Sequence, residues 1–317
     1  MFYIFKKIAI SILTIFLISI FVFFMFQVIP GDPVLAQLGI DGIGDNPLLA
    51  ENLREAFEMD VPVVQRYVNW AVRVVGGDLG ESFQFRTPVA ELIASRLPQT
   101  FSLALTSLAA VIVFGIPLGI FLANHGHKKQ GVIVSILSQI FIALPSFWFA
   151  ILLIWIFAFH LNFGSMRVII DWGNPANTLR DLTLPVAALS LGAIAIVARY
   201  VKASVLEQKN SEYVTVALAK GMTESQVMRK HILRNSLIPI LTILGLTSVG
   251  LFTGSIVIEN VFTIQGIGSL LINAINFNDY PLIQGIVLYF SVIVVALGLF
   301  LDMLHVLIDP RIKRGWK

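Results

Sequence analysis

The chain has 317 residues, 57% of them apolar and 13% charged, with a mean hydropathy of +0.85. Soluble domains carry about 25% charged residues, so the composition excludes a water-soluble enzyme and indicates an integral membrane protein. Cysteine is absent, which removes disulfide frameworks and thiolate metal sites, and the net charge of +3 follows from one-sided basic loops without any nucleic-acid partner.

Apolar runs free of Asp, Glu, Lys and Arg begin near Ile8, Phe101, Val132, Leu182, Leu237 and Leu282. A bilayer core needs roughly 20 residues per helix, so the expected fold is all-α with six transmembrane helices. The first run, Ile8 to Ile29, follows Lys6 and Lys7 and exceeds the roughly 7–15 residues of a signal-peptide core; residues 1–30 read as a retained anchor. Gly31-Asp32-Pro33 then marks a turn, opening an extracytoplasmic segment, 31–99. Within it Val64, Tyr67, Val68, Ala71, Val72 and Val75 recur at helical spacing and Gly76-Gly77 stops the pattern, predicting an amphipathic helix that packs on the protein's own spans or meets an external partner.

The second span, Phe101 to Ala123, carries Gly115 and Gly119 four residues apart, and the fifth carries Gly250 and Gly254 likewise; small residues at this spacing let helix backbones approach. His125 and His127 in the following loop lack a third ligand, so no metal site is expected. The third run, Val132 to Phe159, is interrupted at Ala143-Leu144-Pro145-Ser146. Proline removes a backbone donor and clashes with the preceding turn, which predicts a kink. Kinked helices often line translocation paths, and a purely structural bend is equally compatible; Pro145 and Ser146, with Gly250 and Gly254, are the candidates for a path or gate. Trp172-Gly173-Asn174-Pro175 reads as an interfacial turn. The fourth span, Leu182 to Ala198, contains Pro185, meets Arg199 and Lys202 at its inner end, and is expected to continue as helix beyond them.

Next comes the longest polar, basic stretch between apolar runs, Glu212 to Pro239. Thr223 and Gln226 have capping-box spacing, Met222 and Val227 stand at hydrophobic-staple positions, and Gly221 suits the left-handed turn ending the preceding helix. This spells helix, sharp turn, helix. The fifth span follows, Leu237 to Ile258. In the loop from Glu259 to Pro281, Gly266-Ile267-Gly268 and the run Ser269 to Ile275 predict a turn and a short interfacial helix. The last span, Leu282 to about Ile308, has Asp302 and His305 one turn apart, where they are expected to pair with each other or with headgroups; Asp309-Pro310-Arg311 ends it.

Lys and Arg set orientation in short flanking loops. Lys6, Lys7, Lys128, Lys129, the basic residues from Arg199 to Arg234, and Arg311, Lys313, Arg314 and Lys317 fall on one side, which is therefore cytoplasmic, with both termini inside. No GxxxxGK[ST], HExxH or GxSxG occurs, so neither nucleotide hydrolysis nor the commonest hydrolase chemistry is assigned to the chain, and no catalytic residue is named. The six central stretches also lack the ionisable groups of proton relays and ion-coupled transporters. Energy for transport must then enter from outside, and Glu212 to Pro239 is the place for it.

From here a resemblance is visible. Glu212-Tyr213-Val214, Ala217, Ala219-Lys220-Gly221, His231-Ile232-Leu233-Arg234-Asn235 and Ile238-Pro239 resemble the coupling segment of ABC importer permeases. The match is best to the B-type permease of the dipeptide, oligopeptide and nickel family. Gly31-Asp32-Pro33, Gly77-Asp78-Leu79-Gly80 with Ser82, Leu144-Pro145-Ser146-Phe147, Glu259 with Phe262, Gly266 and Gly268, Asp279-Tyr280-Pro281 and Asp309-Pro310-Arg311 follow the family's order along the whole chain. Thr215 and Val216 stand where the general signature has Glu-Ala, and Gln265 replaces a usual proline.

The resemblance implies a type I ABC importer permease fold with a core at 100–308, a cytoplasmic coupling helix pair within 199–236, and a cytoplasmic tail at 309–317. It implies a bacterial inner-membrane protein paired with a paralogous permease, two ATPase subunits that hold ATP and Mg, and an extracytoplasmic binding protein delivering peptides, or alternatively nickel or another metal chelate. Ala217, Gly221, Thr223, Gln226, Val227, Met228, Arg229 and Ile232 become the expected ATPase-coupling residues, Val227, Met228 and Ile232 supplying the buried side of the second helix. Arg229, Lys230 and Arg234 would pair with ATPase carboxylates or lipid phosphates. The rival of another class is an ion-coupled secondary transporter or channel.

Overall fold

A computed structural model describes residues 2–28, 61–161, 163 and 167–308. The turn at 31–33 and the tail at 309–317 lie outside the described residues. Helices account for nearly everything described: α1 Phe2–Val28, α2 Val63–Val75, α3 Val89–Ala110, α4 Ile116–His125, α5 Lys129–Ala143, α6 Ser146–Leu153, α7 Pro175–Lys209, α8 Glu212–Ala219, α9 Glu224–Val227, α10 Leu233–Val261, α11 Ile267–Asn276 and α12 Tyr280–Ile308. Short π-helical stretches join α3 to α4 (Val111–Gly115), extend α6 (Ile154–His160) and join α9 to α10 (Met228–Ile232). Among the described residues the only extended pairing is a single bridge between Glu81 and Pro88.

By length and composition, five continuous helices among the described residues can cross a membrane: Ile4–Met25, Val89–His125, Pro175–Lys209, Glu224–Val261 and Tyr280–Leu307. The third apolar run is a helix pair, Lys129–Ala143 and Ser146–His160, bent by 105°. The expected kink at Pro145 is therefore a complete break. Leu144 and Pro145 are extended, and Pro145 has no N–H with which to continue the ladder. The second span starts earlier than its apolar run, at Val89, so residues 89–98 of the expected extracytoplasmic segment belong to a membrane-length helix.

The chain divides into two compact units, one of residues 1–98 with 265–299 and one of 99–264 with 300–317. In the first, α2 forms where the apolar spacing places it, ending at Gly76 before Gly77 turns left-handed at φ 85°. Its buried face differs from the expected one. Tyr67, Trp70, Ala71 and Val74 pack around Phe23 and Leu288, with Phe23 rings 5.5 Å from Tyr67 and 5.6 Å from Trp70, while Val64, Val68, Val72 and Val75 are exposed. Aromatic area won over the valine stripe, because large rings bury more surface per contact. Elsewhere in this unit Val89 and Ile93 meet Ile267, Leu270 and Ala274 of α11 and Leu282 and Ile286 of α12. Asp279 caps α12 through Leu282 N–H at 3.3 Å and also accepts from Ser82 Oγ at 2.5 Å and Gln84 N–H at 3.1 Å. Both side chains are fully buried, so the Ser82 and Asp279 motifs build one structural node.

The second unit is organised on α7, which starts with Asn174 at its N-cap and Pro175 in the first turn and runs unbroken to Lys209. The expected continuation past Ala198 is thus present. Gly115 and Gly119 serve close packing against it: a Cβ on Gly119 would stand 2.6 Å from Ala198 O, and one on Gly115 would meet Val197 at 3.3 Å. Near the C-terminal end of α12, His305 Nε2 meets Thr242 Oγ1 at 3.1 Å.

Candidate functional site: the coupling turn and the cavity at the helix break

Between α8 and α9 the chain turns within a few residues. Gly221 takes φ 84°, its N–H donates to Leu218 O at 2.9 Å, and Met222 N–H donates to Ala217 O at 3.2 Å. These two bonds are the Schellman pattern, which satisfies carbonyls a helix end leaves open. Immediately after, Gln226 N–H donates to Thr223 Oγ1 at 3.3 Å and Thr223 N–H donates to Gln226 Oε1 at 3.1 Å, completing the capping box. A helix stop and a helix start are thereby fused into one rigid corner.

The corner is fastened from below. Ala217, Val227 and Ile232 are buried at 8%, 1% and 3% exposure in the core of their own unit, with Met222 and Met228 packed beside them. Gly221, Thr223, Gln226 and Arg229 face outward, as do Lys230, Val216 and Leu218. Of the residues expected to couple, Gly221, Thr223, Gln226 and Arg229 are thus presented for contact; Ala217, Val227 and Ile232 are already covered within the chain. Thr215, at the place of the signature glutamate, is exposed.

About halfway along α7, in the same unit, lies a cavity of about 400 Å³. The break between α5 and α6 supplies Leu144 and Ser146 to its wall, α7 supplies Leu189 and Gly192, and α10 supplies Thr247, Gly250 and Gly254. Its lining contains no Asp, Glu, Lys, Arg or His; Ser146 and Thr247 are its polar side chains. Gly250 would have nothing within 4 Å of a Cβ, whereas one on Gly254 would stand 3.0 Å from Leu189 Cδ1 and one on Gly192 3.2 Å from Phe141 O. The second glycine pair is therefore not a close-packing pair like Gly115 and Gly119. Gly250 opens space.

Residues 115–314 match the family of binding-protein-dependent transport system inner membrane components, and residues 1–104 match the N-terminal model of such membrane components. The chain belongs to this family. Among curated members, a putative peptide transport system permease protein of Brucella abortus (strain 2308) is 34% identical over 97% of this chain and 98% of its own. The dipeptide transport system permease protein DppB of Lactococcus lactis subsp. cremoris is 35% identical, covering 98% and 99%. The oligopeptide transport system permease protein AppB of Bacillus subtilis is 32% identical, also covering 98% and 99%. A chain of the inward-facing MetNI methionine ABC transporter superposes with a TM-score of 0.57 at 18% identity, over 69% of this chain and 96% of that one. The fold is that of a type I ABC importer permease.

Within this permease the cavity unites Ser146, Gly250 and Gly254, while Pro145 shapes it by breaking the helix between two wall residues. Gly192 and Thr247 escaped the sequence reading, since neither stands in a motif; a glycine facing a break on a neighbouring span was the available signal. Glu259 was placed just outside the fifth span. The helix in fact continues to Val261, and Glu259 is fully buried, accepting from the equally buried Thr100 Oγ1 at 2.7 Å. An acidic group therefore sits inside a membrane-length helix, next to its outer end in the expected orientation.

Proposed function

We propose that this permease carries peptides across the bacterial inner membrane with a similar but distinct permease, two ATPase subunits and an extracytoplasmic binding protein, both of its termini facing the cytoplasm. The observation that supports the peptide cargo is the set of relatives 32–35% identical along nearly the full length and named as peptide, dipeptide or oligopeptide permeases. The sequence carries no GxxxxGK[ST], and in this reading ATP and Mg are held by the ATPase subunits, where hydrolysis takes place.

In this reading Gly221, Thr223, Gln226 and Arg229 form the surface that enters the ATPase groove, and Ala217, Val227, Met228 and Ile232 fix that surface to the spans. The signature carboxylate is absent, so the contact rests on exposed Val216 and Leu218 and on the charges of Arg229 and Lys230. Ser146, Gly250, Gly254 and the Pro145 break contribute to the translocation path. Reconstitution of the importer with both permeases and both ATPase subunits in liposomes, supplied with the binding protein, tests the scheme. Uptake of labelled di- to pentapeptides should require ATP and the binding protein. Uptake driven by an ion gradient alone would restore the secondary-transporter reading, and uptake of nickel chelates but not peptides would reassign the cargo.

A further inference from the structure

The cavity at the α5–α6 break has a composition that selects its occupant. Its walls are apolar apart from Ser146 and Thr247, so they favour an apolar group and offer no counter-ion to a charged one. The break adds a different requirement. Pro145 cannot donate to Phe141 O, and the first-turn N–H of Ser146, a residue that lines the cavity together with Phe141, has no acceptor within its helix. Irregular backbone at membrane depth persists where protein or a water-filled path surrounds it, not against lipid. A lipid acyl chain would match the walls and leave the break unsatisfied. An uncharged side chain carried on a peptide backbone matches both.

Size narrows the choice further. Ligand pockets span about 300–1,000 Å³; at about 400 Å³ this one takes a single residue with its flanking amides, not an entire oligopeptide. The free volume lies over Gly250, the one wall glycine whose Cβ would meet no neighbour within 4 Å. A Cβ there enters open space, so a side chain built on Gly250 extends into the cavity.

We propose that this cavity is a side-chain slot on the translocation path, that it accepts an uncharged apolar side chain of the peptide cargo, and that Gly250 sets the largest side chain admitted. This rests on the peptide reading above.

The test uses the complete importer in proteoliposomes with one binding protein throughout, so that its own selectivity cancels between variants. Maximal uptake rates are compared for tripeptides differing only in a central Ala, Leu, Phe or Lys, in wild type and in the series Gly250→Ala, Gly250→Leu and Gly250→Phe. The expected result is a graded loss: Gly250→Leu lowers uptake of the Phe tripeptide about tenfold or more relative to wild type while the Ala tripeptide stays within about twofold, and Gly250→Ala gives an intermediate loss. In wild type the Lys tripeptide is carried more slowly than the Leu one at saturating binding protein.

Equal uptake of all tripeptides in Gly250→Leu would overturn the slot and leave the peptide reading intact, as would a uniform loss accompanied by failure to copurify with the second permease. No uptake of any peptide by the wild-type importer would overturn the peptide reading and the slot together.

Discussion

Replacing Gly221 tests the coupling corner with little steric complication, because a Cβ there meets no atom within 4 Å. The whole effect of a side chain must come from the backbone, which sits at φ 84°. An L-residue in this left-handed region costs about 1–2 kcal/mol, Asn tolerates it best, and a β-branched residue is a genuine outlier. The corner is held by the bonds Gly221 N–H to Leu218 O and Met222 N–H to Ala217 O, so relaxing φ means surrendering both. A penalty of 1–2 kcal/mol shifts the ratio of formed to unformed corner about 5–30-fold. The expected order of coupling loss is therefore Asn least, Ala next and Val most, read as peptide imported per ATP hydrolysed in the reconstituted importer, with membrane insertion and copurification retained. Gly77, at φ 85° and equally free of neighbours, provides the control: Gly77→Val carries the same strain and should leave the ratio of transport to hydrolysis unchanged. Wild-type coupling in Gly221→Val, or equal uncoupling by Gly77→Val, would refute the argument.

Thr223→Ala removes the capping-box acceptor and should cost about 1 kcal/mol locally, seen as faster amide exchange at residues 224–227 with assembly intact. Gly119→Val forces a Cβ into the α7 backbone near Ala198 O; overpacking of about 1–3 kcal/mol should lower the melting temperature in detergent, whereas Gly250→Ala should leave it unchanged. Ser82→Ala takes one donor from the buried Asp279 carboxylate and should cost about 1.5–3 kcal/mol, measured as thermal destabilisation that Ser82→Thr largely avoids.

The helix corner was legible in the sequence because each of its parts acts within a few residues: a capping box needs only Thr223 and Gln226, and a left-handed stop needs only Gly221. The spans were legible by run length, although their ends were not, since apolar runs stop where charge begins and helices do not. Glu91 and Glu259 both lie within membrane-length helices for this reason. Pro145 announced an irregularity but not its size, because a 105° bend depends on what neighbouring helices fill or leave empty. The two glycine pairs make the same point. Gly115 and Gly119 admit a neighbour's backbone, Gly254 admits a leucine methyl, and Gly250 admits nothing; spacing alone cannot tell these apart, since the difference lies in residues far away in sequence.

The corner and the cavity are joined by two helices. The helix Glu224–Val261 carries Val227 near one end and Thr247, Gly250 and Gly254 beyond its middle, and α7 carries Leu189 and Gly192 on the cavity and Lys209 beside the start of α8. At 1.5 Å per residue the separation from Glu224 to Gly250 is about 40 Å, so in the proposed coupling the corner and the cavity are linked by helix and not by a chain of loops. The helix Glu224–Val261 has two irregular places before the cavity: the π-helical turn Met228–Ile232 next to the corner, where the hydrogen-bond register differs from the rest, and Pro239, which cannot donate to the ladder. Val227, just before the π-helical turn, and Ile232, its last residue, are both buried in the unit's core. In the coupling proposed above, this burial clamps the π-turn at both ends, so that displacement of the exposed residues moves the helix instead of unwinding it locally. Truncating Val227 to Ala should therefore uncouple transport in the same sense as Gly221→Val even though Val227 is only 1% exposed, and full coupling in that variant would show that the turn needs no clamp.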